Sequence, residues 1–310
     1  MRVAILGGTG FIGQHVARQL GEGGAQVTTV ERGITIGAVP NVRSLKADRN
    51  DANALARALA IAAPTVVIDM IAYRQEDIER LLDALPASAE RLVVISSGDV
   101  YATYGVFLGV NSGPSDTKPS DEQASLRTEL FPYRRKAQGS NDMLYSYEKI
   151  LVERTANAWT GGATTVLRLP MVYGPNDKLR RVASYVTRFR ANAEKVRLNT
   201  AEAAWRCTRG YVEDVAAAIK LAALSEAAAG KVFNVGEPVA LAEAVWARAI
   251  AAAADWQGEV VVDPDVPPSL QANWSADLTV DTNRIREVLG YDEPVGRNKG
   301  LRRTVTSIGE

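Results

Sequence analysis

The chain has 310 residues, with 36 Lys and Arg residues, 36 Asp and Glu residues, one histidine and one cysteine. The zero formal net charge argues against a general nucleic-acid binder, whose affinity usually depends on a basic surface. The single Cys207 excludes an intramolecular disulfide framework and multi-cysteine zinc sites, and we expect no bound metal. The length predicts one large domain or two smaller ones.

The first half of the chain alternates short apolar runs with segments of helical spacing. The apolar runs predict strands over 2–6, 26–30, 42–46, 65–69, 91–96 and 164–169. The segments between them predict helices over 11–20, 52–62, 78–85 and 141–159. This alternation is typical of parallel strands joined by crossover helices. Residues 103–141 interrupt the rhythm, and we expect a long loop or lid there.

The fold class predicted from this pattern is α/β, a doubly wound parallel sheet (Rossmann) with a smaller C-terminal substrate-binding domain. We expect the sheet domain to comprise 1–171 and 208–238, and the substrate-binding domain 172–207 and 239–310. No apolar run reaches the roughly 18 residues of a membrane span. The first residues also lack the pattern of a secretory signal. We therefore expect a cytoplasmic chain with no membrane partner.

A glycine-rich turn follows the first predicted strand and opens the first predicted helix. Gly7 permits the sharp turn, Gly10 lets backbone N–H groups approach a pyrophosphate, and Gly13 lets the helix pack closely on the sheet. The turn therefore predicts a dinucleotide-binding site. Its cofactor-binding residues are Gly7, Thr9, Gly10, Phe11, Ile12 and Gly13.

An acidic residue stands where a ribose contact is expected. Glu31 ends the second predicted strand, 18 residues after Gly13. Its carboxylate can accept hydrogen bonds from the adenosine ribose hydroxyls and would repel a 2′-phosphate, which favours NAD. The adjacent Arg32 could instead pair with that phosphate, so NADP is the alternative cofactor.

A Tyr-x-x-x-Lys pattern provides candidate catalytic residues. If 141–159 is one helix, the spacing of four places Tyr145 and Lys149 on one face. The lysine ammonium would favour the phenolate, which can take a hydroxyl proton while hydride leaves the same carbon. Ser97, at the end of a predicted strand, could hydrogen-bond the forming carbonyl. Tyr147 is a rival tyrosine, but it lies two positions before Lys149 and so on a different helical face.

These patterns together resemble the short-chain dehydrogenase/reductase superfamily, and more closely its extended branch of NAD-dependent epimerases and dehydratases. The resemblance covers nearly the whole chain, and its carriers are the sequences at 7–13, 96–101, 167–175, 210–215, 233–236 and 284–291, together with Tyr145 and Lys149. It implies that Tyr145 is the acid/base, that Lys149 tunes the pKa of Tyr145 and contacts the ribose, and that Ser97 takes the family's hydroxyl position. One departure is the gap of 48 residues between Ser97 and Tyr145, which is longer than is usual in this family.

The resemblance also implies further contacts. Asp48 and Arg49 would lie at the adenine, Ile71 and Ala72 in the cofactor cleft, and Pro170 and Met171 along the nicotinamide. Either Arg206 or Arg209 would bind a substrate diphosphate, and we favour Arg206.

The function predicted is that of an NAD-dependent epimerase/dehydratase-type oxidoreductase that acts on a hydroxyl carbon of a nucleotide sugar. The resemblance implies a homodimer. One alternative is an NAD(P)-binding regulatory or sensor protein without turnover, since a fold alone does not determine function. Another is an NADP-dependent reductase of a small carbonyl compound. Binding or cleavage of RNA, with the basic cluster at 134–136 as its contact, is a third, against which the zero net charge argues.

Overall fold

A computed structural model describes residues 1–33, 39, 41–111 and 118–309. Its strands are β1 (Arg2–Leu6), β2 (Gln26–Glu31), β3 (Val42–Lys46), β4 (Val66–Asp69), β5 (Arg91–Ser97), β6 (Ala163–Leu169), β7 (Met171–Tyr173), β8 (Lys195–Leu198), β9 (Arg206–Cys207), β10 (Arg209–Tyr211), β11 (Val232–Asn234), β12 (Leu241–Ala242) and β13 (Glu259–Val262). Its helices are α1 (Gly13–Glu22), α2 (Ala52–Ala62), α3 (Gln75–Ala84), α4 (Ala102–Leu108), α5 (Met143–Ser146), α6 (Lys149–Asn157), α7 (Ala183–Ala191), α8 (Thr200–Ala204), α9 (Val212–Leu224), α10 (Glu243–Ala253), α11 (Asn283–Leu289) and α12 (Arg297–Gly309).

Seven parallel strands form the central sheet, in the order β11-β6-β5-β4-β1-β2-β3. The strand order reverses at β1, where Leu6 is in register with Val30 of β2 on one side and with Asp69 of β4 on the other. In sheets of this kind a crevice opens at the carboxyl ends of the strands beside the reversal, and ligands bind there. The predicted fold class, a doubly wound α/β sheet, is confirmed.

Helices cover both faces of the sheet, and the alternate side chains of β1 are buried on opposite faces. Val3 and Ile5 pack into the core that α1 and α9 cover, whereas Ala4 and Leu6 pack into the core under α2, α3 and α6. Successive side chains of a strand point to opposite faces. A strand that is buried on both sides therefore appears in the sequence as an uninterrupted apolar run.

Three two-stranded pairings lie outside the central sheet. β7 pairs with β10 and β8 with β13, both in parallel, and β9 pairs with β12 in antiparallel orientation. Most of these strands, together with α7, α8, α10, α11 and α12, belong to the ranges assigned to a substrate-binding domain. The exact division into two domains stays a prediction.

The helix predicted over 141–159 is wrong, because two residues interrupt it. α5 ends at Ser146, and Tyr147 and Glu148 are extended, with φ/ψ of −62°/120° and −157°/101°. Glu148 is the N-cap of α6, since its side chain accepts a hydrogen bond from the backbone N–H of Ile150 at 2.9 Å. The predicted loop over 103–141 is also only partly irregular, because α4 occupies its beginning.

In the described ranges, no helix is both long and apolar enough to span a bilayer. The same ranges contain no group of three or more His, Cys, Asp or Glu side chains that could hold a metal ion.

Candidate active site

The glycine turn between β1 and α1 packs so tightly at Gly7 and Gly13 that a side chain would not fit at either position. Gly7 has φ +80°, and a Cβ there would lie 2.5 Å from Cγ2 of Ile71. A Cβ on Gly13 would lie only 2.2 Å from the carbonyl oxygen of Gly7. The first N–H groups of a helix have no partner within it. In the described part of the chain the N–H groups of Gln14, His15 and Val16 donate to backbone carbonyls just before α1, so the N–H groups at 11–13 are the ones left for an anion at the crevice.

Glu31 closes β2 beside this turn. The residue is buried, and its Oε2 atom has no hydrogen-bond partner in the described part of the chain. A buried carboxylate oxygen without a donor is costly, and ribose hydroxyls would supply the missing donors. Arg32, by contrast, is exposed. These observations fit the adenosine end of NAD.

Of the two residues expected at the adenine, Arg49 is engaged by the protein's own structure, whereas half-buried Asp48 has only a local hydrogen bond. Asp48 accepts a hydrogen bond from the backbone N–H of Asn50 at 2.9 Å. Arg49 donates to both carboxylate oxygens of Asp69 at 2.9 and 3.0 Å, and to the carbonyl oxygen of Asp77 at 2.6 Å. Its guanidinium therefore fixes the end of β4 below the cleft. The structure does not bring it to an open surface.

The end of β4 leads to the predicted cleft residues. Asp69 Oδ1 accepts a hydrogen bond from the N–H of Ile71 at 3.0 Å, and the Ile71 side chain packs against Gly7. Ala72 is fully buried, and its carbonyl oxygen accepts a hydrogen bond from Lys149 Nζ at 2.6 Å. The glycine turn, the end of β4 and Lys149 thus come together at one edge of the sheet.

Lys149 is held at the carboxyl ends of the strands. Its Nζ also donates to the carbonyl oxygen of Ile95 at 2.8 Å, and it lies 4.9 Å from the centre of the Tyr73 ring and 5.9 Å from that of Tyr147. Burial lowers the pKa of Lys149 to about 8, against the opposing charges of Asp99 and Asp69. An ammonium has three donors, and the two carbonyls occupy two of them.

The break before α6 separates the two candidate tyrosines. The Tyr145 side chain is exposed, with the guanidinium of Arg134 4.8 Å above its ring. Tyr147 is buried, and its hydroxyl donates to Oδ2 of Asp99 at 2.8 Å. Tyr147 and Ser97 line the same cavity, and Tyr145 is not among its lining residues. The expectation that Tyr145 and Lys149 share a helical face is therefore wrong, because no continuous helix connects them.

The ionisation of Tyr147 also differs from the expected one. Burial raises the pKa of Tyr147 well above 10, and the charge of Asp99 and the hydrogen bond to it act in the same direction, against a hydrogen bond with the Ser97 side chain. Burial likewise raises the pKa of Asp99, although Arg127 and the hydrogen bond from Tyr147 lower it. The phenol in this cavity therefore keeps its proton, where the sequence analysis expected a lysine to stabilise the phenolate.

The cavity has a volume of about 440 Å³ and opens beside the carboxyl ends of β5 and β6. Its wall is mostly apolar or aromatic, with the predicted nicotinamide residues Pro170 and Met171 on one side. Its lining includes Ser97, Gly98, Asp99, Tyr101, Tyr104, Tyr133, Leu144, Tyr147, Leu169, Pro170, Met171, Leu179, Arg181, Cys207, Asp277, Leu278 and Val280. Among these described residues only Arg181 carries a positive charge, and it is paired with Asp177 at 3.0 Å.

The arginines predicted to bind a diphosphate are not in this wall. Arg209 is buried, forms an ion pair with Glu243, donates to the carbonyl oxygen of Cys207 at 3.2 Å and lies 4.5 Å from the Trp246 ring. Arg206 is exposed and does not line the cavity. The structure therefore brings neither guanidinium to the cavity.

Sequence reasoning missed Asp99, Tyr133 and Tyr104 as residues of the site. Asp99 lies within the motif at 96–101, but nothing in the sequence indicated that Tyr147 would donate a hydrogen bond to it. Tyr133 donates to Asp99 at 3.1 Å and lies 3.1 Å from the Tyr104 hydroxyl. Both tyrosines belong to the segment predicted as a loop, where no periodicity indicated what they would face.

Comparison with known proteins gives one family and many similar folds. The family described as "NAD dependent epimerase/dehydratase family" matches residues 3–236. A curated relative, the 2′-dehydrokanamycin reductase of Streptomyces kanamyceticus, is 25% identical over 301 residues, which are 94% of this chain and 76% of the relative.

Two solved structures show the extent of the fold similarity. MoeE5 in complex with UDP-glucuronic acid and NAD has a TM-score of 0.72 at 22% identity, covering 99% of this chain and 98% of that one. UDP-glucose 4-epimerase of Thermus thermophilus in complex with NAD has a TM-score of 0.71 at 22% identity, covering 100% and 99%. At such identity the likeness establishes the architecture over the whole chain.

Proposed function

We propose that this chain oxidises a hydroxyl carbon, or reduces the corresponding carbonyl, in the cavity beside β5. The chain belongs to the NAD-dependent epimerase/dehydratase family and is therefore an NAD-dependent enzyme. The observation that carries this proposal is the joint placement of Ser97 and Tyr147 in the wall of one cavity, with Lys149 buried behind them. A proton-bearing hydroxyl, a second hydroxyl and an ammonium are the groups that such a reaction requires.

The cofactor end of the proposal rests on the glycine turn and Glu31. A side chain would not fit at Gly7 or Gly13, so the backbone of the turn can lie close to a pyrophosphate, and Glu31 Oε2 has no donor among the described residues. When bound, NAD supplies a hydride acceptor, or a hydride donor in its reduced form. We propose that Glu31 selects NAD over NADP, because its carboxylate repels a 2′-phosphate.

We assign the acid/base role to Tyr147, and not to Tyr145 as the sequence spacing suggested. Tyr147 places its hydroxyl in the cavity, whereas the Tyr145 ring lies on the outside against Arg134. Ser97 would orient the substrate oxygen toward Tyr147. Lys149, with one N–H left by its two carbonyl partners, would contact the cofactor ribose and keep positive charge near the phenol.

Two substrate classes draw support from different observations. The solved neighbours with UDP-glucuronic acid and UDP-glucose support a nucleotide sugar. The cavity wall supports a compound without a diphosphate, because Arg181, the one cation among its described lining residues, is paired with Asp177 while Asp277 adds a carboxyl group. The reductase relative agrees with this second class, a carbonyl or hydroxyl compound such as a keto sugar. We favour this second class on the geometry of the wall.

Absorbance at 340 nm tests both the reaction and the substrate. The purified protein would be mixed with NAD and either UDP-glucose or UDP-glucuronic acid, and with NADH and 2′-dehydrokanamycin, each with Tyr147→Phe as the control. We expect a change with the keto compound that Tyr147→Phe abolishes. Epimerisation or dehydration of a UDP-sugar regenerates NAD and leaves no net change at 340 nm, so those mixtures are also analysed by chromatography for a converted sugar nucleotide. NAD binding with neither a 340 nm change nor a converted product for any probe, equal in both proteins, would instead favour a sensor without turnover.

The oligomeric state and the absence of nucleic-acid binding are two further properties that we propose. We propose a homodimer, which sedimentation equilibrium measures directly. We also propose that the chain binds no nucleic acid, and titration with RNA at fixed salt concentration tests this. The salt must be fixed because electrostatic binding depends on it steeply.

A further inference from the structure

The hydroxyl of Tyr147 and the carboxyl of Asp99 form a buried pair in the cavity wall. The phenol donates to Asp99 Oδ2 at 2.8 Å, and Asp99 is 3% exposed. The second carboxyl oxygen, Oδ1, is buried and has no hydrogen-bond partner among the described residues. A carboxylate with one solvated or bonded oxygen and one orphaned oxygen is costly to keep charged. The pair therefore has a reason to hold an additional proton.

Other groups surround this carboxyl, and they define its proton connections. Tyr133 also donates to Oδ2 at 3.1 Å, and behind it lies the Tyr104 hydroxyl. Two cations are close enough to matter: Lys149, buried, and Arg127, whose Nε donates to the backbone oxygen of Asp99 at 2.5 Å.

These neighbours leave Tyr147 as the link to the substrate. Arg127 is neutralised by its ion pair with Glu148 at 2.9 Å. Lys149 is bound to two backbone carbonyls. Tyr147, Tyr133 and Tyr104 all line the cavity. Of these three, Tyr147 is the one whose ring lies 5.9 Å from Lys149 Nζ and whose hydroxyl also has a hydrogen bond with the Ser97 side chain.

We propose that Asp99 is the proton partner of Tyr147, a positioning residue that accepts the phenolic proton when Tyr147 takes one from the substrate. This inference rests on the proposed function. In it, Tyr147 touches the reacting oxygen and Asp99 acts only through Tyr147.

The proton and electron balance is simple. In the oxidation, the hydroxyl proton of the substrate moves to Tyr147 Oη while the original phenolic proton moves to Asp99 Oδ2. The C–H bond breaks with its electron pair passing to oxidised NAD, and the C=O bond forms. In the reduction each transfer runs in reverse, and Asp99 returns its proton to Tyr147. Tyr147 is a neutral phenol before and after either direction.

The ionisation of the two groups agrees with this exchange. Burial raises the pKa of Asp99 toward the range in which a carboxyl can take up a proton during turnover. Burial and Asp99 together raise the pKa of Tyr147, so a stable phenolate is not formed. No phenolate needs to form if Tyr147 gives its proton to Asp99 while it receives one from the substrate.

Carbon-13 NMR of the NAD-loaded protein, labelled at the aspartate carboxyl carbons, tests the pair without a substrate. Asp99→Asn identifies the Asp99 signal, with Asp99→Glu as the second variant for that purpose. The Asp99 carboxyl is then titrated in wild type, Tyr147→Phe and Tyr145→Phe. Loss of the phenolic donor should raise the pKa of Asp99 by about one unit, a tenfold change in proton affinity. Tyr145→Phe should leave it unchanged.

Two outcomes would overturn the inference: an Asp99 pKa that is equal in wild type and Tyr147→Phe, or one that stays in the ordinary carboxyl range near 4. Failure of the proposed function is read separately. Absence of a converted sugar nucleotide from the two UDP-sugars, together with absence of any 340 nm change with 2′-dehydrokanamycin, would reject the reaction. An unchanged Asp99 titration in a protein that does turn over would reject the proton pair alone.

Discussion

The guanidinium of Arg127 donates to both carboxylate oxygens of Glu148, at 2.9 and 3.3 Å, and neither side chain has any exposed surface. Glu148 additionally accepts hydrogen bonds from the N–H groups of Phe131 and Ile150. With Glu148 held in this way, α6 begins after it and Tyr147 stays extended. This buried pair therefore determines that Tyr147, and not Tyr145 of α5, faces the cavity.

Removing one partner of this pair should strongly destabilise the protein. Arg127→Met leaves the Glu148 charge buried without its cation, which typically costs about 3–5 kcal/mol of the free energy of unfolding. The exposed pair of Arg197 and Asp263 provides the control, because the Arg197 side chain is 59% exposed. Arg197→Met should cost less than about 1 kcal/mol. Urea unfolding of both variants measures the difference, and equal losses would contradict the role assigned to Arg127.

The elements that depend on local sequence were predicted closely. The bounds predicted for β1, β3 and α2 are those of the structure. Each is specified by its own apolar period and by the turn residues beside it. The single helix predicted over 141–159 is wrong for the opposite reason. Glu148 interrupts it, and Glu148 is held by Arg127, which lies 21 positions earlier in the chain. No window of sequence contains that contact as a pattern.

The candidate site likewise contains residues that local motifs predicted and residues that only a long-range contact brings into the site. The glycine turn, Glu31, Ser97 and Lys149 belong to motifs, and the structure brings them to one edge of the sheet. Asp99 became a site residue only through its contact with Tyr147, 48 positions away. The motif resemblance itself is confirmed by the family match over residues 3–236.

Arg49 shows a further limit of reasoning from position. The resemblance placed it at the adenine, at the carboxyl end of β3, but its guanidinium turns inward to Asp69 and Asp77. A strand-end arginine can serve a ligand or the fold, and only the tertiary partner decides between the two.

Exchange of the two tyrosines for phenylalanine should separate their roles. Tyr147→Phe removes the hydroxyl in the cavity, and we expect turnover to fall by about 10²–10⁴-fold, the usual contribution of a general acid/base. Tyr145→Phe removes a hydroxyl on the outer surface and should change turnover less than about twofold, since ordinary surface substitutions have small effects. Steady-state rates at 340 nm with NADH and 2′-dehydrokanamycin measure both, and NAD affinity by calorimetry verifies that each variant still binds cofactor. A larger loss in Tyr145→Phe than in Tyr147→Phe would return the acid/base role to Tyr145.

Glu31 should control the choice of cofactor. Glu31→Gln keeps the size of the side chain but removes the charge, so the hydrogen bonds to the ribose weaken and the repulsion of a 2′-phosphate disappears. We expect the Kd for NAD to rise roughly tenfold, the value of about one charge-assisted hydrogen bond, and the Kd for NADP to fall. Glu22→Gln, an exposed change at the end of α1, is the control. Calorimetric titration with both dinucleotides gives the ratio, and an unchanged ratio would remove Glu31 from the site.

The buried ammonium of Lys149 should leave a signature in the pH dependence of stability. Burial lowers its folded-state pKa to about 8, below the ordinary value of 10.5. Between these two pH values the unfolded chain binds a proton that the folded chain has lost, so the contribution of Lys149 to the free energy of unfolding increases with pH. The slope of this increase is at most about 1.4 kcal/mol per pH unit. Below pH 8 the residue is charged in both states, and its contribution is constant and least favourable.

Comparison with Lys149→Met isolates this contribution. The free energy of unfolding of wild type minus that of Lys149→Met should be flat from pH 6 to about 8 and should rise from there toward pH 10. The exposed Lys195 gives the control, because the difference between wild type and Lys195→Met should stay flat throughout. Urea unfolding at each pH provides the values. A flat difference for Lys149→Met would mean that the ammonium keeps its ordinary pKa, and the electrostatic environment assigned to it beside Tyr147 would then have to be abandoned.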